Sequence, residues 1–206
     1  MTSNLSRRLF AALATVAALT LAGCEKGSGP VASDQDMSMG SADAKVKMVE
    51  YASASCSHCA TFNNEVFPLV KAKYIDTGKM QYTLKEFVTP PPQMAIASFL
   101  IARCAGKDKY FTVLDSVYKN QNEMFQTGDI RGVLLRIAQS TGMTEEEFNK
   151  CTGDEAQINA LQSRVDKAVK EDGITATPTF FINGKKIAEG EITLAQIDEA
   201  FAEASK

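Results

Sequence analysis

The stretch Lys45-Val46-Lys47-Met48-Val49-Glu50-Tyr51-Ala52-Ser53-Ala54-Ser55-Cys56-Ser57-His58-Cys59 carries the two signals on which the rest of the chain turns. Val46, Met48 and Tyr51 alternate in part with Lys45, Lys47 and Glu50, the pattern of a strand with at least one buried face. Two cysteines follow, three residues apart. A helix starting at or just before Cys56 brings both sulfurs to one face in its first turn, with Cα atoms about 5 to 6 Å apart, a span a disulfide tolerates. The free amides at a helix N-terminus stabilise negative charge, so Cys56 is expected to be largely thiolate near neutral pH, against an ordinary thiol value of about 8.5. A thiolate attacks disulfides and a thiol does not. Cys56 is therefore read as the nucleophile and Cys59, one turn deeper, as the resolving sulfur. His58 is the single histidine of the chain. Placed between the cysteines, it is expected to stabilise the neighbouring thiolate.

Outward from this stretch, Phe62, Val66, Leu69 and Val70 recur at helical spacing, with Pro68 predicting a kink or break. Asp76-Thr77-Gly78 marks a turn, Met80 to Val88 reads as a second strand, and Pro90-Pro91-Pro92 closes it. Helical patterns then occupy Met94 to Ala105, Tyr110 to Tyr118, Ile130 to Ala138 and Asp154 to Val169. Thr144-Glu145-Glu146-Glu147 is a capping box that should start a short helix carrying Cys151. Four or five helices are thus expected before Pro178. Thr179 to Ile182 and Lys185 to Ala188 read as strands joined across Asn183-Gly184, a strong hairpin dipeptide, and Thr193 to Ala204 as a final helix. Pro178 cannot donate to a strand ladder, but it suits a cis peptide bond at a strand entrance.

A strand followed by Cys56-Ser57-His58-Cys59, a long helical middle and Thr177-Pro178-Thr179-Phe180-Phe181-Ile182-Asn183-Gly184 resembles the DsbA-like thiol-disulfide oxidoreductases, over roughly Lys45 to the C-terminus. The resemblance implies an α/β, thioredoxin-like fold with a helical insertion, about 93–170, between a βαβ half and a C-terminal ββα half. It implies catalysis without a cofactor, clients that are unfolded exported proteins with free thiols, and a membrane redox partner of the DsbB type. Glu50 lies six residues before Cys56, where the family has a buried acid thought to assist proton movement at the resolving cysteine. A solvated strand charge is the other reading of that residue. A cis Pro178 would leave the Thr177 backbone beside the cysteines, free to pair with an extended substrate strand. Ser57 stands where the best-known members have proline, and Thr177 resembles isomerases as much as strong oxidases. Donation of disulfides is the leading reading. An isomerase or reductase kept reduced by a membrane electron donor, and a non-catalytic thioredoxin-fold metal chaperone, stay open beside it.

The N-terminus bears on the compartment. Arg7 and Arg8 precede the uncharged run Leu9 to Leu21, too short for a membrane span of about 20 residues, and residues 1–23 read as a secretion signal. Leu21-Ala22-Gly23-Cys24 resembles the bacterial lipobox, which implies lipidation of Cys24 and a place in the periplasm or cell envelope, with membrane contact through that anchor only. The chain after residue 23 has 20 basic against 25 acidic residues, net about −5, and no basic block to bind nucleic acid. Residues 24–44, rich in Gly, Ser, Asp and Met, read as a flexible tether, and 45–206 as the folded domain. Met37 and Met39 read as filler rather than a copper arm. With Cys24 lipidated, four of the five cysteines remain, and Cys104 and Cys151 are expected to form a structural disulfide, with a regulatory redox pair as the alternative. They lack the close pairing of zinc ligands, so no metal is expected.

Overall fold

The computed structural model describes residues 29–206. The signal stretch and Cys24 lie outside the described residues. Five strands form one mixed sheet in the order β1, β3, β2, β4, β5: β1 is Met37–Met39, β2 Val46–Ala52, β3 Met80–Glu86, β4 Thr179–Ile182 and β5 Lys185–Glu189. Strands β2 and β3 are parallel, and the other neighbours are antiparallel. Strand β2 is central. Its residues Met48 to Ala52 are buried without a break, because helices cover both faces and each side chain has a core to enter. The β4–β5 hairpin turns at Asn183 and Gly184, whose φ values of 47° and 81° are those a two-residue turn requires.

Within 24–44, expected to be a tether, the described residues include a strand. Strand β1 pairs antiparallel with β3, and Met37 is buried. The segment adds an edge strand because β3 otherwise exposes a row of unpaired amides and carbonyls. The folded unit therefore begins before Lys45. Strand β3 ends at Glu86, two residues short of the expected Val88.

Helix α1 follows Cys56 as α-helical Ser57–Thr61, a π turn Phe62–Val66, α-helical Phe67–Val70 and a second π turn Lys71–Ile75. The helix thus continues past Pro68. The proline falls in the first turn of the second α segment, directly after a wider turn, where its missing N–H breaks no regular ladder.

The insertion holds six helices rather than four or five: α2 Pro92–Cys104, α3 Lys107–Lys119, α4 Gln121–Thr127, α5 Ile130–Ser140, α6 Glu145–Thr152 and α7 Glu155–Lys170. Helix α6 starts on the capping box, with Thr144 Oγ1 accepting from the Glu147 N–H and Glu147 Oε2 accepting from the Thr144 N–H. Helix α8, Leu194–Ala204, closes the chain. Among the described residues no helix is long and apolar enough to cross a membrane.

A buried carboxylate ties insertion to sheet. Glu86, at the end of β3, accepts from Arg103 Nε of α2 at 2.7 Å, from Arg164 Nη2 of α7 at 2.6 Å and from the Tyr110 hydroxyl of α3 at 2.9 Å. Two cations on one carboxylate offset its desolvation, which is why the charge is tolerated at 2% exposure.

Candidate active site

Cys56 is the N-cap of α1, extended in backbone, and its Sγ accepts from the Cys59 backbone N–H at 3.3 Å. As a thiol it donates to the Thr177 carbonyl, also at 3.3 Å, so the loop before Pro178 lies against the sulfur. The Thr177–Pro178 peptide is cis. The Cys56 pKa is lowered to about 6, first because the Cys59 thiol donates to the thiolate, then through the Thr177 side chain and the backbone N–H groups of Cys59 and His58, with partial burial opposing them. At pH 7 the group is mostly thiolate.

Cys59 is fully buried, and burial pushes its thiol well above the ordinary range, with hydrogen bonding to Cys56 and the nearby Glu50 adding to the effect. The two sulfurs are thereby driven apart in acidity. Glu50 is not a solvated charge: it is 2% exposed, and burial raises its carboxyl to about 8 against the lowering effect of the Tyr82 hydroxyl, which donates to Oε2 at 2.5 Å.

The expectation for His58 is corrected in its chemistry. The ring is exposed, with Nδ1 2.9 Å from Glu191 Oε1, so it is engaged with a surface carboxylate and not with the sulfur. What His58 gives Cys56 is its backbone N–H. Side chains of the first helical turn project outward from the axis, whereas the amides point back along it to the N-cap.

Two supports escaped the sequence. Gln121, the first residue of α4 and buried, donates through Nε2 to the carbonyls of Ala54 at 3.0 Å and Cys56 at 3.2 Å, tying the insertion to the cysteine loop. The Ser53 hydroxyl accepts from the Thr89 N–H at 3.2 Å, and the Ser55 hydroxyl donates to the Thr89 carbonyl at 2.8 Å. The only available signal for Gln121 is its place directly after the apolar stripe of α3. Cys104 and Cys151 are bonded to each other, joining α2 to α6, with Cα atoms 6.4 Å apart. Among the described residues no group of three or more His, Cys, Asp or Glu is placed to hold a metal ion.

A family model described as Thioredoxin matches residues 32–202, a span that includes β1. The chain belongs to the thioredoxin family. The crystal structure of alpha-DsbA1 from Wolbachia pipientis superposes with a TM-score of 0.77 at 28% identity, covering 86% of this chain and 93% of that one. With that neighbour, the chain has the thioredoxin-like fold of the DsbA type. A Rickettsia bellii protein provisionally named a protein-disulfide oxidoreductase is 34% identical over 173 residues, which are 82% of this chain and 66% of the relative. A Bacillus cereus protein named probable disulfide bond formation protein D is 27% identical, covering 78% of this chain and 76% of its own length. The chain spans between about half and two thirds of the length of the Rickettsia relatives that it matches.

Proposed function

We propose that the chain is a thiol-disulfide oxidoreductase that donates a Cys56–Cys59 disulfide to exported proteins in the bacterial cell envelope. A client thiolate attacks Cys56 Sγ, forming a mixed disulfide, and Cys59 Sγ leaves with the bonding pair and takes up a proton, Glu50 being the buried acid at hand. A second client thiolate then attacks the client sulfur of the mixed disulfide, and Cys56 leaves as a thiolate. The client loses two electrons and the cysteine pair gains them, and a membrane oxidase of the DsbB type removes them. The observation that carries this reading is the geometry of the pair: the Cys56 sulfur caps α1, accepting from the Cys59 N–H at 3.3 Å beside the cis Thr177–Pro178 loop, while Cys59 is fully buried, so the first sulfur is the better-stabilised anion and the better leaving group, in line with its lowered pKa. The Thr177 loop, which lies against the Cys56 sulfur, is the surface against which an extended client strand would lie. Cys104–Cys151 is assigned a structural role. Lipidation at Cys24 would hold the domain at a membrane surface.

The test is oxidative refolding of a reduced client protein and reduction of insulin, with the full chain and with Cys56→Ser. Loss of both activities in the variant is expected, and unchanged activity would remove the catalytic assignment. The potential of the cysteine pair gives direction: near about −120 mV favours the donor, near about −270 mV a reductant. Rescue of scrambled disulfides without added oxidant would favour an isomerase.

A further inference from the structure

The chemistry at Cys59 leaves one problem of transport. Each turnover moves a proton on or off a sulfur with no exposed surface, next to a carboxyl that is itself buried. Among the described residues Glu50 has one hydrogen-bonded side-chain partner, the Tyr82 hydroxyl of β3. Tyr82 in turn lines a cavity of about 310 Å³ between β1, β3, α1 and α3. The same cavity is lined by Tyr118 of α3, whose hydroxyl is buried and, among the described residues, has no hydrogen-bond partner. Leaving a buried hydroxyl unpaired costs about 1 to 3 kcal/mol, so a residue kept this way requires an explanation. None of Cys56, Thr177, Pro178 or Gln121 lines the cavity, whereas the exposed Pro68 and Thr112 do, so it opens to solvent away from the side where a client would bind.

Resting on the oxidoreductase reading above, we propose that protons exchanged at Cys59 pass through Glu50 and the Tyr82 hydroxyl into this cavity, where the Tyr118 hydroxyl holds the receiving water. In the step that closes the bridge, the Cys59 sulfur forms its bond to Cys56 as the client sulfur leaves with the electron pair. The Cys59 proton goes to the Glu50 carboxylate. The Tyr82 hydroxyl then turns outward, gives its proton to water at Tyr118 and accepts the carboxyl proton, so both tyrosines end unchanged. The client can cover the mouth of the site throughout, because the proton leaves by another route. Tyr82 and Tyr118 are positioning residues here: among the described residues neither is hydrogen-bonded to the reacting sulfurs.

The reduced full chain, mixed with an aromatic disulfide whose thiolate is coloured, separates the steps. A first phase reports attack by Cys56, and a second reports displacement by Cys59, which Cys59→Ser abolishes. Tyr118→Phe removes an unpaired hydroxyl and keeps the ring, so folding is preserved. It is expected to leave the first phase unchanged and slow the second about tenfold. The groups facing Glu50 are Tyr82 from β3, Cys56 and Cys59 from the start of α1 and Tyr118 from α3. Since Glu50 acts as a base, the second phase should rise with pH through its titration. Tyr82→Phe, which removes the bond that lowers the carboxyl, should move that rise to higher pH, while Tyr118→Phe should lower the rate without moving it. A second phase equal to wild type in both variants, at every pH, overturns the relay. Absence of the first phase in the wild-type chain would instead remove the oxidoreductase reading.

Discussion

Lowering the pH from 7.5 to 5 should change how steeply the potential of the Cys56–Cys59 pair depends on pH, with a break near 6. Only the reduced form has a Cys56 thiol to titrate. Below the folded-state value of about 6 the reduced pair holds two protons more than the disulfide, and above it one. For a two-electron couple the slope is then about −59 mV per unit below the break and about −30 mV per unit above it. The sign follows from the direction of the shift. A depressed pKa stabilises the folded, reduced protein fully above the ordinary thiol value of about 8.5, and that contribution is lost as pH falls through about 6. At pH 7, one unit above the folded value, the thiolate stabilises the reduced form by about 1.4 kcal/mol, equivalent to raising the potential by about 30 mV. Glu50, raised to about 8, begins to titrate only at the upper edge of this window, well above the break. The assay is equilibration against glutathione redox buffers at closely spaced pH values, with the reduced fraction read by alkylation, and thiolate absorbance as an independent titration. A single slope of about −59 mV per unit from pH 5 to 7.5 would refute the assignment of a thiolate to Cys56.

Two further outcomes follow from the packing. Glu86→Gln leaves Arg103 and Arg164 crowded without their counter-charge, and should lower the unfolding free energy by about 3 kcal/mol in urea titrations; a loss under about 1 kcal/mol would mean the network contributes little. Replacing both Cys104 and Cys151 with serine opens a loop of about 48 residues and should cost about 4 kcal/mol of stability in the chain-entropy model, measured by the same titration, while the two-phase kinetics at Cys56 and Cys59 stay as in the wild-type chain.

What the sequence made legible is what neighbouring residues decide between themselves. The Thr144–Glu147 capping box, the Asn183-Gly184 turn and the strand from Val46 are each specified within a few positions, and each stands where local chemistry puts it. Strand β1 was hidden because Met37–Met39 is three residues long in a polar stretch and exists only through its partner, 45 residues away. Helix α4 was hidden because seven residues carry too little periodicity to stand out after Asn120. In the site, the cysteines and Pro178 were legible from spacing, while the surroundings of Glu50 were not: burial and the Tyr82 bond arise from β2 lying beside β3, a register that no single stretch encodes. The same holds for Gln121, whose role depends on α4 crossing beneath the cysteine loop, and for His58, whose ring is claimed by Glu191, 133 positions later.

The Glu86 cluster has a mechanical meaning for how clients of different shape would be handled under the proposed function. It bolts the sheet to α2, α3 and α7 at once, so swinging the helical cap away would strip a carboxylate from two guanidiniums in nearly dry surroundings. The cap is a fixed jaw and not a hinged lid. Under the proposed function, fitting varied clients would therefore fall to exposed side chains that can reorient, while the sulfur and its supporting amides hold still.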